Sequence, residues 1–207
     1  MIARRPRSQV KTLSSLSRIN LLHELQLHGS MTVTELATAT GLHHNTAREH
    51  LHCLIDAGFV RAEPIPRTSK GRPKILYRAA NRPDDPAREA RLHAADIRTE
   101  RFRRLVPIRE IRSDHASLNR QLDVLDDHLD QCGFDADINP DASLMTVHAC
   151  PFSDLARENP QVCQVHFALV KDALELTDGP LDARELHPFS GVDECTLDLE
   201  SPPRAIP

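Results

Sequence analysis

The stretch that decides the fold is TVTELATATGLHHNTAREHLHCLIDAGFV, Thr32 to Val60. Its pattern predicts two short helices joined by a tight turn. Thr32 can cap the first helix, and Glu35 lies three residues on, where its carboxylate can bond back to the cap. Val33, Leu36 and Ala37 then share one face. Thr40-Gly41-Leu42 ends that helix, because glycine enters the left-handed region without steric cost. His43 starts the second helix. Its apolar stripe is Ala47, Leu51, Leu54 and Ile55, and Ala57-Gly58 stops it. The opposite face carries His44, Asn45, Arg48, Glu49 and His52. Two helices, a small-residue turn and a donor-rich second helix predict a helix-turn-helix whose second helix enters a major groove.

The residues on either side extend the unit. Leu13 to Leu27 is expected to be one bracing helix, with Leu16, Ile19, Leu22 and Leu25 or Leu27 turned inward. Phe59 to Glu63 and Lys74 to Arg78 are expected to be strands. Between them lies the basic tip Arg67-Thr68-Ser69-Lys70-Gly71-Arg72-Pro73, so the hairpin reads as a wing. GRPKILYRAA following a helix-turn-helix resembles the winged-helix bacterial repressors of the broad arsenic-repressor and multidrug-repressor type. A wing used only for protein contacts is the alternative, and the basic tip and recognition face argue against it.

Charge divides the chain. The formal net charge of -4 would by itself disfavour nucleic acid. Residues 1–80, however, hold twelve Lys and Arg against five Asp and Glu, while the remainder holds fourteen against 25. A basic front and an acidic back predict two modules with different partners. The front can displace counterions from phosphates, and the back is suited to sensing or dimerisation. With 3% aromatic residues and no Trp, both cores must be built from Leu, Ile, Val and Ala. No apolar run is long enough to span a membrane, and MIARRPRSQVK has no apolar segment behind its charges. A cytoplasmic protein follows, with its five cysteines mostly reduced.

The expected class is therefore α+β, in five parts: a basic N-terminal arm (1–12), a winged helix-turn-helix (13–80), helical linker and dimerisation helices (81–134), a small cysteine-containing α+β sensor domain (135–200) and a disordered tail (201–207). The 81–86 linker is rich in Pro and Asp, and residues 87–105 read as a helix. Ile108, Ile111, His115, Leu118, Leu122, Leu125 and Leu129 then form a heptad seam, which can serve either as a homodimer interface or as a face laid on the chain's own C-terminal domain. Cys132 continues that spacing as a packing residue, and Cys53 reads as a small buried hydrophobe. Strands are expected at 143–149, 181–186 and 196–199, a turn over 188–194, and a helix at 160–177.

Cys150, Cys163 and Cys195 remain, with His166 one helical turn after Cys163 and His187 before Pro188. Three thiolates and an imidazole have the number and softness that suit Zn²⁺ or an iron–sulphur cluster. The alternative is that all five are ordinary packing residues. His148 is placed to face solvent or support its strand. Cys150-Pro151-Phe152, Asn159-Pro160, Cys163 and His166, followed by Glu185-Leu186-His187-Pro188-Phe189 and Cys195, resemble the C-terminal domain of repressors of iron–sulphur-cluster assembly operons. The resemblance runs from about Leu13 to Leu199. It implies a dimeric winged helix on operator DNA and a cluster held by Cys150, Cys163 and Cys195, with His166, His187, His148 or a non-protein group as the fourth ligand.

The expected function is a DNA-binding transcriptional regulator, a repressor on the resemblance, acting as a homodimer on double-stranded DNA. Asn45 can pair an adenine edge and Arg48 a guanine edge. His44 and Thr46 would meet backbone or a thymine methyl, and Lys70, Arg72 and Lys74 phosphate or minor groove. One alternative is a regulator with structural zinc, or with no metal, that answers an organic ligand. Another is an enzyme with Cys163 as nucleophile and His166 or His187 as base. The sequence has no glycine-rich phosphate loop or nucleophile elbow.

Overall fold

The computed structural model describes residues 8–65, 74–80, 93, 97, 116–139, 143–177, 179–192 and 194–200. The sequence expectations for the wing tip at 67–73 (with Lys70 and Arg72), the linker at 81–86, most of the helix at 87–105, the seam positions Ile108, Ile111 and His115, and the tail lie outside the described residues. Contacts divide the chain into two compact units: residues 1–80 with 154–165, and residues 81–153 with 166–207.

The first unit opens with α1 (Gln9–Leu13) and α2 (Leu16–His28). The helix expected from Leu13 to Leu27 is α2, starting at Leu16, and a separate short helix precedes it, so residues assigned to the basic arm are helical. The break falls at Ser14-Ser15. Ser14 Oγ donates to Val10 O at 2.8 Å, and Ser15 is extended. The Arg18 guanidinium donates to the carbonyls of Thr12 and Lys11, which replaces the partners a continuous helix would supply. Leu13 is fully buried, as are Ile19, Leu21, Leu22 and Leu25, while Leu27 faces solvent.

A two-residue strand, β1 (Met31–Thr32), leads into α3 (Val33–Thr40), and α4 (His44–Asp56) follows. β2 (Val60–Pro64) and β3 (Ile75–Ala79) are antiparallel, with Ala62 opposite Tyr77, and β1 joins the other side of β3 to give the order β1-β3-β2. Leu36, Ala47, Leu51, Leu54, Phe59 and Tyr77 are buried in the core of this unit. Truncating any of its buried leucines to Ala would cost about 2–5 kcal/mol.

The second unit is a two-layer α+β arrangement. Its sheet has the order β4-β5-β7-β6, antiparallel throughout: β4 (Asp135–Asn139), β5 (Leu144–Ala149), β6 (Asp182–Gly191) and β7 (Glu194–Glu200). Its helices are α5 (Ala116–Cys132) and most of α7 (Gln161–Glu175), while α6 (Ser153–Glu158), apart from Ser153, and the first five residues of α7 are grouped with the first unit. Leu125 and Leu129 of α5 pack with Met145 and Val147, Val170 and Leu174, Leu181 and Ala183, and Leu197 and Leu199. Leu118 and Leu122 lean on the same core. From Leu118 onward the heptad seam therefore lies against its own sheet. Cys132 is fully buried, in the packing role its spacing predicts, and burial pushes its thiol up to about 12.

Two sheet features depart from the sequence reading. β4 was not expected, because Asp-Ala-Asp-Ile-Asn has poor strand propensity. It is an edge strand, where outward acids oppose further pairing. The 188–194 turn is also mostly strand. β6 continues through Pro188 to Gly191, with irregular register between His187 and Gly191 and a positive φ of 56° at Phe189. An edge strand tolerates this proline because its missing N–H has no ladder partner to supply.

Candidate nucleic-acid interface

The helix-turn-helix is set by its caps. Thr32 Oγ1 accepts from Glu35 N at 3.3 Å, and Thr32 N donates to Glu35 Oε2 at 2.7 Å. Thr32 Oγ1 also donates to Glu35 Oε2 at 2.7 Å, and the two bonds to the carboxylate, the backbone one first, hold the Glu35 carboxyl below its usual range where the helix dipole favours negative charge. Gly41 ends α3 at φ 68°, and Leu42 N donates to Ala37 O at 3.0 Å. His43 then caps α4 with its imidazole, Nδ1 accepting from Asn45 N at 3.3 Å. The cap satisfies one of the backbone N–H groups that α4's first turn leaves without an intrahelical partner.

The polar face of α4 follows from its buried stripe. With Ala47, Leu51 and Leu54 inward, Asn45, Thr46, Glu49 and His52 are exposed, and His44 and Arg48 are half-buried. Arg48 Nη2 lies 3.3 Å from His44 Nδ1, which steadies the guanidinium one turn above the exposed amide of Asn45. Lys74 is exposed at the root of the wing. Arg48, His52 and Lys74 meet Thr32, Val33, Thr34 and Glu35 around one open cleft of about 500 Å³. The start of α3 therefore belongs to the same surface as α4 and the wing. Sequence reasoning treated Thr32 only as a cap and passed over Thr34. The capping box, which places the helix start at the surface, was the available signal.

Residues 19–64 match the family described as the IclR helix-turn-helix domain. The chain carries a winged helix-turn-helix DNA-binding domain of the transcription-regulator kind. The match covers this domain alone. No curated protein matches the chain. Among solved structures, it is similar to the homodimeric winged helix-turn-helix DNA-binding domain of a possible ArsR-family transcriptional regulator from Mycobacterium bovis. There the identity is 27% over 54% of this chain and 99% of the other, with a TM-score of 0.28. A MarR family transcriptional regulator from Silicibacter pomeroyi is 19% identical over 55% of this chain and 69% of its own, also with a TM-score of 0.28.

The expected sensor residues are spread over both units. Cys163 sits in the first turn of α7, in the segment grouped with the helix-turn-helix domain. Cys150 and Cys195 belong to the second unit, where both lean half-buried on the core. Burial raises the Cys150 thiol, with a smaller upward push from Cys195. Cys195 Sγ accepts from Phe189 N at 3.3 Å. His166 is buried, stacked on Phe152 at 4.6 Å and edge-on to Phe134 at 5.1 Å. His187 lies on the opposite, outward face of the sheet, its Nε2 3.0 Å from Asp198 Oδ2. His148 shares that outward face between Asp137 and Glu194, at 3.0 and 3.2 Å. Among the described residues, one set of three or more His, Cys, Asp or Glu ligand atoms comes together, and it contains no cysteine: Glu185, His187 and Asp198.

Proposed function

We propose that this chain regulates transcription by placing α4 in the major groove, with Arg48 and Asn45 reading base edges and Lys74 holding phosphate at the wing. The observation that carries the reading is the single surface that gathers Arg48, His52 and the capped start of α3, within the matched helix-turn-helix segment, with Lys74 of the adjoining wing. Phosphate contacts fix orientation, while bidentate contacts to base edges distinguish sequences. The protein is a homodimer in this reading, so two recognition helices meet half-sites about one duplex turn apart.

Titration of labelled duplexes with the full chain tests these roles. Arg48→Ala should lose about 1–3 kcal/mol of preference for a selected site over random duplex. Lys74→Ala should weaken both duplexes alike and flatten the salt dependence by about one unit of slope. Equal preference in wild type and Arg48→Ala would contradict the assignment of Arg48.

The finer reading adds a sensor. Soft-donor chemistry at Cys150, Cys163 and Cys195 suits an iron–sulphur cluster or zinc, and the resemblance of the C-terminal motifs supports it. A bound group can alter DNA affinity only through different affinities for the DNA-competent and incompetent forms. The absorption spectrum of protein purified without oxygen is the test. Visible charge-transfer bands that bleach in air are expected for the cluster. A colourless protein with stoichiometric zinc would replace the cluster with the zinc form, and a colourless metal-free protein would end the sensor reading.

A further inference from the structure

The outward face of the second unit's sheet presents a set of donors that the DNA-binding reading does not use. In β7, Cys195, Leu197 and Leu199 point to the core, so Glu194, Thr196, Asp198 and Glu200 point away from it. The ladder sets Glu185 opposite Asp198 and His187 opposite Thr196, and an irregularity between Ala183 and Glu185 brings Glu185 into that register. One ligand atom each from Glu185, His187 and Asp198 therefore lies within 4.8 Å of the others. We infer that these three side chains form a binding site for a divalent transition-metal ion.

The chemistry follows from the donor set. Metal bonds to imidazole nitrogen and carboxylate oxygen are about 2.0–2.2 Å, which puts neighbouring ligand atoms about 3.4 Å apart around a tetrahedral ion. Closing from the observed spacing needs only rotamer adjustment, since the three Cα atoms are fixed by paired strands. One imidazole and two carboxylates suit Zn²⁺, Co²⁺, Ni²⁺ or Mn²⁺ and leave at least one position for water. Ca²⁺ and Mg²⁺ would be disfavoured, because both prefer an all-oxygen shell.

The surroundings favour a cation. Asp137 and Glu194 flank His148 on the same face, and the nearby Arg184 is engaged by Glu200 and, at 3.8 Å, by Asp182. The acidic face would concentrate a cation near Glu185 and Asp198. The 3.0 Å contact between His187 Nε2 and Asp198 Oδ2 holds a proton that a metal ion would replace, so binding would release it. The site does not depend on the DNA-binding reading, and it shares only His187 with the proposed cysteine set.

Titration of the metal-free full chain with Co²⁺ tests the proposal and separates the two sites. Co²⁺ on nitrogen and oxygen gives weak visible bands, whereas thiolate ligation adds an intense near-ultraviolet charge-transfer band. One Co²⁺ per chain with the weak bands is expected, retained in Cys150→Ser, and any thiolate band from the cysteine set is expected to be lost in that variant. His187→Ala should weaken binding about a hundredfold or more, because even outer-shell partners of a metal ligand are worth about 10–100-fold. Glu185→Gln, a nearly isosteric change at an exposed position, gives the same readout if His187→Ala disturbs the sheet. Binding unaffected by either change, binding seen only with the thiolate band, or no saturable binding would each overturn the site.

Discussion

Gln121 is a residue whose importance appears only in three dimensions. Its buried amide donates to the carbonyls of Leu174 and Leu181, at 3.0 and 2.7 Å, and accepts from Leu181 N at 2.7 Å. The loop before β6 is thereby tied to α5 and the end of α7. Gly179 permits this, since a Cβ there would collide with the Gln121 side chain. Replacing Gln121 by Leu keeps the bulk but strands three backbone groups. We expect a loss of about 2–4 kcal/mol in urea unfolding, and a loss below about 0.5 kcal/mol would contradict the clamp. A lone glutamine beside a leucine seam reads as solvent-facing, so no sequence signal marks it. His128 on the same helix behaves similarly. Burial drives its pKa down to about 4, against a smaller upward push from Asp127, and Cys132 Sγ lies 3.9 Å from its ring. Between about pH 6.5 and pH 4 the unfolded chain binds a proton here that the folded chain refuses, so stability rises with pH across that window. His128→Gln should remove on the order of 1–3 kcal/mol of the pH dependence over this range. An unchanged pH profile in the variant would remove His128 from the account.

At the scale of elements, α3 and α4 were legible because each end carries a local device that the backbone obeys. The Thr32–Glu35 capping box and left-handed Gly41 both form as their spacing requires. No atom comes within 4 Å of a Cβ built on Gly41, so the cost of a side chain there is backbone strain alone. Gly41→Ala should lower unfolding stability by about 1–2 kcal/mol without altering contacts, and thermal denaturation would measure it. An unchanged midpoint would mean the turn relaxes. The elements that escaped the sequence reading were decided by non-local partners. The Ser14-Ser15 break needs Arg18 to return to the carbonyls of α1. β4 forms because β5 offers it an edge, and Pro188 stays within β6 because that strand is itself an edge. The seam from Leu118 to Leu129 was legible as a buried stripe. Its periodicity could not choose the partner, because a sheet and a second helix both accept spacings of three and four.

For the whole molecule, the division of charge carries the functional argument. A winged helix-turn-helix in a basic first part and a carboxylate-rich sheet in an acidic second part give one chain two surfaces for opposite partners. The polar face of α4 was legible because a fixed buried stripe determines which side chains stay exposed. The proposed metal ligands were less so. Metal ligands are brought together by strand register, and cysteine spacing alone cannot reveal that Cys163 and Cys195 fall in different compact units. Glu185 and Asp198 meet through the β6–β7 ladder and carry no motif in the sequence. Among the described residues, no helix is long and apolar enough to cross a membrane.

The most direct test is selection of the full chain against a pool of randomised duplex DNA, repeated with Arg48→Ala and over a range of salt. The account predicts enrichment of a defined motif, with affinity that falls steeply as salt rises, and loss of that enrichment in the variant while salt-dependent binding persists. Failure to enrich any motif, or the same motif from wild type and Arg48→Ala, would contradict α4 as the reader of sequence.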